Sequence, residues 1–168
     1  MGKTGKGTPE IFGLHGKIDF ISSTLGKSMG GASGGFLSGP REVVDMLRNK
    51  ARTYLFSNSV APCIVGAAIE AYKMLDESPE LIKRLQTNTK IFRTQMKQAG
   101  FKIVGHEESP IAPVWLGDAK KASELADKML EENIFVIGFS YPVVPKNEAR
   151  IRVQLSAAHT EEQVIRCV

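Results

Sequence analysis

The chain has 168 residues, 42% of them hydrophobic, and it carries 22 basic against 18 acidic side chains for a net charge of +4. Its hydrophobic content suits a folded core, and the lack of an apolar run of about 18 residues excludes a membrane-spanning helix. The small positive excess suits anionic ligands. Its basic residues are scattered and are not grouped with aromatic side chains, which argues against a nucleic-acid partner.

The cysteines and the two ends of the chain carry information about its setting. Cys63 and Cys167 form no C-x-x-C pair, which indicates a reducing compartment, and we predict each as a small buried apolar residue. Residues 1–9 are glycine-rich and basic without a secretory signal, as in a loop entered midway. The capping-box pattern from Thr160 to Gln163 begins a helix only five residues before the end. We therefore expect both ends to be cut from a longer protein.

The first half of the chain alternates short strands and helices. Residues 18–22 form a β-branched and aromatic run typical of a buried strand. A glycine-rich loop follows, and residues 35–38 read as a second strand. Pro40 can occupy the first position of a helix through about Lys50, with Val43, Val44 and Leu47 as its apolar stripe.

A second pair of helices follows an aromatic and polar connection at residues 54–59. On spacing alone, Phe56 is core filler and Ser57 or Ser59 caps the helix that begins near residues 61–62 and runs to about residue 75. Residues 76–79 are the predicted boundary, since Pro79 can begin a long helix that ends at residue 100.

The last third of the chain predicts a small α+β lobe. Strands are expected over residues 101–104, 111–116, 134–137 and 151–155, and a helix capped by Asp118 over residues 119–132. These elements lie beyond the boundary. We therefore predict two domains, residues 1–77 and residues 78–168.

Lys27 is the first residue with a predicted chemical role, because it follows a strand and opens a loop that holds five glycines. Glycines allow positive φ and close approach of another group. A nucleotide P-loop would need glycine where Ile21 stands, and the G-x-G-x-x-G fingerprint is absent too. Two interpretations remain: a lysine that forms an imine with a carbonyl, with Ser22, Ser23 and Thr24 to hold an attached phosphate, or a solvated lysine.

Arg152 is the second candidate. In an alternating strand, Ile151 and Val153 point to one face, which puts Arg150 and Arg152 on the other. Both arginines could simply face solvent. However, the planar guanidinium fork matches a carboxylate in a bidentate way, as an amino-acid substrate requires.

His159 and the proline-rich loop are weaker candidates. His159 has no metal-ligand spacing to His15 or His106, and a local hydrogen-bonding role is favoured over catalysis. The loop from Tyr141 to Pro145 is stiff, because each proline fixes φ. It either lines a substrate entrance or only joins two strands.

Several segments together resemble one family of enzymes. Residues 23–35, Ser-Thr-Leu-Gly-Lys-Ser-Met-Gly-Gly-Ala-Ser-Gly-Gly, resemble the pyridoxal-phosphate (PLP) lysine segment of the α-oxoamine synthases, and residues 54–59, 138–146 and 149–159 continue the likeness. The resemblance runs from about Gly5 to the last residue but covers only the C-terminal part of the family's protein. It implies an α/β fold, the C-terminal part of a fold-type I PLP-dependent transferase. Residues 1–77 would end the large PLP-binding domain and residues 78–168 would form the small α+β domain, truncated at its end.

The resemblance also implies roles for individual residues. Lys27 would hold PLP as a Schiff base and act as the catalytic base, and Arg152 would bind the substrate carboxylate. The implied PLP-binding residues are Thr24, Leu25, Gly26, Lys27, Phe56 and Ser57. In this family the Phe-Ser pair reaches the cofactor of the other subunit, which implies a homodimer with a shared active site. No metal is implied.

The activity implied by the resemblance is the reversible condensation of glycine with acetyl-CoA to 2-amino-3-oxobutanoate and CoA, in threonine degradation. Alternatives are another α-oxoamine synthase, of the 8-amino-7-oxononanoate or 5-aminolevulinate type, and a catalytically incomplete fragment. The family's acidic partner of the pyridine nitrogen and its ring-stacking histidine would precede residue 1, so we expect this piece alone to have little activity. Resemblance to eukaryotic forms implies the mitochondrial matrix, with the cytoplasm as the alternative.

Overall fold

The computed structural model describes residues 2–28 and 33–168, which divide into two compact units, residues 2–79 and 80–168. Within these residues the chain forms seven helices and five strands. The centre of the glycine-rich loop, residues 29–32, lies outside the described residues. Assignment of the two segments to particular domains of a longer protein stays a prediction.

The first unit contains one β-hairpin and four helices. Its elements are α1 (Thr8–Ile11), β1 (Ile21–Thr24), β2 (Gly35–Ser38), α2 (Arg41–Lys50), α3 (Arg52–Phe56) and α4 (Pro62–Glu77). Strands β1 and β2 pair antiparallel, with Ile21 opposite Ser38 and Thr24 opposite Gly35. The second strand and the helices predicted near residues 40–50 and 62–75 are confirmed. The first strand begins at Ile21, three residues later than predicted, and it is not buried as expected, since Ile21 is 44% exposed.

Three further local predictions in this unit were wrong. Phe56 is not core filler, because its side chain is 74% exposed at the end of α3 and stacks against Arg52 one turn earlier, at 5.5 Å from the guanidinium carbon to the ring centroid. Neither predicted serine caps α4, whose N-cap is Ala61 without a side-chain hydrogen bond. Pro62 at the first turn has no N–H to satisfy, which lowers the need for a capping side chain. Cys63 is exposed, not buried.

The second unit packs three helices against a three-stranded antiparallel sheet. Its elements are α5 (Pro79–Gln98), β3 (Ile111–Gly117), α6 (Ala119–Glu131), β4 (Ile137–Phe139), β5 (Ala149–Gln154) and α7 (Glu161–Arg166). The strand order is β3-β5-β4, so β5 is central. Its hydrophobic core consists of Phe92, Met96, Ala112, Val114, Ile151, Val153, Leu155 and Val164. Among the described residues of both units, no helix is long and apolar enough to cross a membrane.

The alternation predicted for β5 divides the sheet into two faces. Ala149, Ile151 and Val153 are buried, whereas Arg152 is exposed. On the buried side, β4 lies close to α6, since a Cβ added to Gly138 would be 3.0 Å from the Ala122 carbonyl oxygen. The other face, which carries Arg152, is the open face of the sheet.

Most predicted helix ends in this unit are confirmed. The Asp118 carboxylate accepts a hydrogen bond from the backbone N–H of Lys121 at 2.8 Å, which caps α6. Thr160 and Gln163 form the predicted capping box of α7. The chain leaves α5 through Gly100, whose φ of +88° favours glycine.

Two predicted strands differ from the structure for identifiable reasons. Residues 101–104 form only a bridge, Ile103 to Val114, and the ladder cannot continue through residue 104 because Pro113, opposite it, has no N–H to donate. The strand predicted over residues 134–137 begins at Ile137. The Ile134 N–H is donated to the Met129 carbonyl at 2.8 Å and closes the end of α6.

Candidate active-site elements

The loop that carries Lys27 is closed by the β1–β2 hairpin. Beyond the last strand pair, the Leu25 N–H donates to the Gly34 carbonyl at 2.9 Å, and the Leu25 side chain is 5% exposed. Lys27 lies two residues past this closure and is exposed. The base of the loop is therefore fixed on both strands, and the exposed Lys27 lies beyond it.

Two glycines permit this closure. Gly34 has φ of +84°, and a Cβ there would lie 2.7 Å from a Val60 methyl group. A Cβ on Gly35 would lie 2.5 Å from the Ser23 carbonyl oxygen, closer than side-chain carbons normally approach. The close approach predicted for the glycine-rich loop is thus present at both residues. Gly30 and Gly31 lie outside the described residues.

Thr24 places a hydroxyl next to the lysine loop. Its Oγ1 accepts a hydrogen bond from the Gly26 N–H at 3.2 Å and donates to the Gly34 carbonyl at 3.4 Å. The second distance is long for an O–H···O bond, so the hydroxyl proton is weakly held and can turn to a ligand oxygen. A primary amine and a hydroxyl three residues apart suit an aldehyde that carries a phosphate, so the donor set fits PLP.

Phe56 and Ser57 lie at the end of α3 in the same unit. Ser57 follows the helix with φ of −112°, and Asn58 then takes φ of +64°. Both residues of the Phe-Ser pair are exposed. Exposure of a large aromatic side chain leaves the pair available to another surface.

Arg152 lies at the centre of the open face of the second unit. Its cross-strand partners are Pro113 on β3 and Ile137 on β4. The guanidinium carbon is 4.5 Å from the centroid of the Phe139 ring, and no carboxylate of the described residues pairs with it. By contrast, Arg150 bonds the Glu148 carbonyl at 2.9 Å and its carboxylate at 3.2 Å.

The structure brings some of the predicted residues together. Residues 24–27 share one loop of the first unit, the Phe-Ser pair ends a helix of that unit, and Arg152 belongs to the second unit. Their roles in binding and catalysis stay predictions. In the described part of the chain, no group of three or more His, Cys, Asp or Glu side chains could hold a metal ion.

His159 has the local role predicted from the sequence. Its Nδ1 accepts a hydrogen bond from the Ser156 N–H at 3.2 Å, just before α7. The sequence did not reveal the buried Asn88, whose Nδ2 donates to the carbonyls of Ser156 at 3.0 Å and of His159 at 2.9 Å. The sequence also did not reveal the contact between Arg152 and Phe139, because the strand register that creates this contact is not encoded locally.

The fold and the lysine loop agree with a match to a known family. The chain belongs to the aminotransferase class I and II family, whose sequence model matches residues 2–168. This family is PLP-dependent.

Individual relatives share about half of their aligned residues with this chain. The chain is 52% identical over 168 residues to mitochondrial 2-amino-3-ketobutyrate coenzyme A ligase of Mus musculus, matching 100% of this chain and 40% of the relative. It is 49% identical to 2-amino-3-ketobutyrate coenzyme A ligase of Escherichia coli, matching 100% of this chain and 42% of the relative. It is 45% identical to 8-amino-7-oxononanoate synthase of Thermosipho melanesiensis, matching 98% of this chain and 41% of the relative. The chain thus spans less than half the length of these relatives.

Solved structures give the same result. Serine palmitoyltransferase of Sphingomonas wittichii superposes with a TM-score of 0.90 at 28% identity, over 99% of this chain and 42% of that one. A structure of SPT with its PLP internal aldimine superposes with a TM-score of 0.91 at 29% identity, over 99% of this chain and 42% of that one.

Proposed function

We propose that the protein carrying this chain is a PLP-dependent acyltransferase that condenses glycine with acetyl-CoA, giving 2-amino-3-oxobutanoate and CoA, reversibly. The reaction would serve threonine degradation to glycine. The observation that carries the proposal is the exposed Lys27 amine on a loop whose base is fixed by the Leu25 to Gly34 bond. The names of relatives with about half the residues identical supply the reaction.

Lys27 has two tasks in this proposal. Its Nζ would hold the cofactor through the aldehyde, and as a free amine it would take one proton from the glycine α-carbon. PLP, when bound, withdraws electrons from that carbon and so makes the proton removable. The α-carbon would then attack the thioester carbonyl of acetyl-CoA, the carbon–sulfur bond would break, and CoA would leave as the thiol after taking up the proton that Lys27 had removed.

Other residues of the chain would hold the anionic groups of the cofactor and of the substrate. The Thr24 hydroxyl and the backbone at Leu25 and Gly26 would contact the cofactor, with the hydroxyl placed for the phosphate. Arg152 would bind the glycine carboxylate, since its fork has no competing carboxylate among the described residues.

The same proposal includes a homodimer with a shared active site. Phe56, 74% exposed, and Ser57 would complete the phosphate site of the partner subunit. An apolar ring of that exposure is costly to leave in water and gains by contact with another surface. Mass measurement of the native protein would give the subunit number, and Phe56→Ala is expected to shift it toward monomer.

A second reaction is favoured by one observation, the 45% identity to 8-amino-7-oxononanoate synthase. That product has a nine-carbon chain and so requires a longer acyl donor than acetyl-CoA. Comparing kcat/KM for acetyl-CoA with that for longer acyl-CoAs distinguishes the two reactions. For the first reaction, acetyl-CoA is expected to be the better substrate.

We propose the mitochondrial matrix as the compartment, because the mouse relative is named mitochondrial. The cytoplasm is the alternative, because a bacterial relative is nearly as similar. Fractionation of the source cells distinguishes them.

The decisive test of the site is covalent labelling at Lys27. The protein at its natural length is incubated with PLP, reduced with borohydride and digested, and the modified peptide is identified by mass spectrometry. We expect one principal label at Lys27, its loss in Lys27→Ala, and its retention in Lys17→Ala, a control at another exposed lysine of the same unit. Undiminished labelling of Lys27→Ala would refute the assignment.

A further inference from the structure

We propose that Phe139 is a positioning residue that holds the Arg152 guanidinium for the substrate carboxylate. This inference rests on the proposed function, in which Arg152 binds the glycine carboxylate. It adds a residue from the neighbouring strand β4 whose ring fixes the fork without occupying its N–H donors.

The strand register puts the two side chains on the same face of the sheet. Ile137 pairs with Arg152, and Phe139 pairs with Arg150, so Phe139 is the diagonal neighbour of Arg152. Diagonal neighbours in an antiparallel pair are within reach of aromatic and long side chains. The resulting distance of 4.5 Å from the guanidinium carbon to the ring centroid is well inside the range of a cation–π contact.

The two arginines on this face, Arg150 and Arg152, have different kinds of partner. Arg150 uses Nε and Nη2 on Glu148, so its charge and part of its fork are already engaged. Arg152 is held by a ring face, which attracts the cation but accepts none of its in-plane hydrogen bonds. A carboxylate partner would compete with a substrate carboxylate, whereas an aromatic partner does not. The contact with Phe139 therefore restrains the fork and leaves its edges free.

The ring itself is held by its own strand. Phe139 is half-buried, and its neighbour Gly138 lies against α6, since a Cβ there would meet the Ala122 carbonyl oxygen at 3.0 Å. This close approach limits movement of β4 relative to α6. Because β4 also pairs with β5, the ring and the guanidinium belong to one framework.

The test compares Phe139→Leu with Phe139→Tyr, which keeps an aromatic face, in the protein at its natural length. Phe135→Leu is the matched control, because Phe135 precedes the same strand and is 78% exposed. Glycine KM and kcat are measured for each variant and for Arg152→Gln. Side-chain resonances of Arg152 are recorded by NMR, since a ring 4.5 Å away imposes a ring-current shift.

We expect Phe139→Leu to raise the glycine KM about three- to tenfold with little change in kcat, as loss of one cation–π contact would. It should also abolish the ring-current shift, while Phe139→Tyr and Phe135→Leu stay near wild type. A normal KM in Phe139→Leu, with a large rise in Arg152→Gln, would overturn this inference and keep the proposed function. A normal KM in Arg152→Gln would overturn the carboxylate role itself, and this inference with it.

Discussion

The closure of the lysine loop can be tested by adding a single methyl group at Gly35. A Cβ there would lie 2.5 Å from the Ser23 carbonyl oxygen, and ordinary contacts begin at 3.4 Å, so the strands must separate by about 0.9 Å. Overpacking of this kind costs about 1–3 kcal/mol. Because Gly35 pairs with Thr24, the displacement occurs at the last pair before Lys27. We expect Gly35→Ala to lower the free energy of unfolding by that amount and to reduce PLP labelling of Lys27.

Gly66 provides a control for the same chemical change. It lies within α4, and an added Cβ would have nothing within 4 Å, so Gly66→Ala is expected to stabilise the helix by about 0.5–1 kcal/mol. Urea unfolding gives the free energy for both variants, and borohydride reduction with peptide mapping gives the label at Lys27. If Gly35→Ala matched wild type in both measurements, the close contact with Ser23 would not constrain the hairpin.

Two further predictions concern the second unit. Asn88→Ala removes two buried hydrogen bonds to carbonyls of the segment before α7, and we expect it to lower the free energy of urea unfolding by about 2–3 kcal/mol. The control Asn49→Ala, at an exposed residue, should lower it by about 0.5 kcal/mol or less. Equal effects of the two substitutions would contradict a stabilising role for the buried Asn88 hydrogen bonds. The hydrogen bond and charge of Lys97, whose Nζ is 2.6 Å from the Glu107 carboxylate, lower the pKa of Glu107 below its usual 4.5. The ionised carboxylate therefore stabilises the fold near neutral pH, and this contribution is lost as the pH falls through the lowered pKa. Glu107→Gln should therefore unfold at lower urea than wild type at pH 7. The difference should shrink as the pH falls below 4.5 and when high salt is added. A difference that does not change with pH would contradict the ion pair.

Helices and their ends could be predicted because their signals are local. Asp118 is followed three residues later by the amide that it caps, and Thr160 and Gln163 lie at the spacing of a capping box. Gly100 marks a helix end because only glycine takes its φ without strain. Each signal requires no knowledge of distant residues.

Strand boundaries were less predictable because they depend on hydrogen-bond partners outside the strand's own pattern. Residues 101–104 have a good β pattern, but Pro113 on the facing strand cannot continue the ladder. The N–H of Ile134 is taken by the end of α6, which delays β4 to Ile137. In the first case a missing donor on the facing strand limits the ladder, and in the second the acceptor, the Met129 carbonyl, lies outside the strand pattern.

The candidate site was predicted unevenly for the same reason. The placement of Lys27 after a strand followed from one continuous run of sequence. The face of β5 on which Arg152 lies followed from alternation alone. The ring of Phe139 beside it did not, since 12 residues, including a loop, separate the two positions and only the register brings them together.

Partners, and not residue type, separate the roles of three arginines in the second unit. Arg93 is 3% exposed, and its Nε and Nη2 donate to the carbonyls of Ser109 at 3.2 Å and Ile111 at 2.9 Å. Burial lowers the pKa of Arg93. Its Nη1 has no hydrogen-bond partner among the described residues, but this atom is buried and a ligand cannot reach it. Arg150 is reachable but engaged by a carboxylate. Arg152 alone of these three combines an exposed guanidinium with an aromatic contact, which suits the carboxylate-binding role proposed for it.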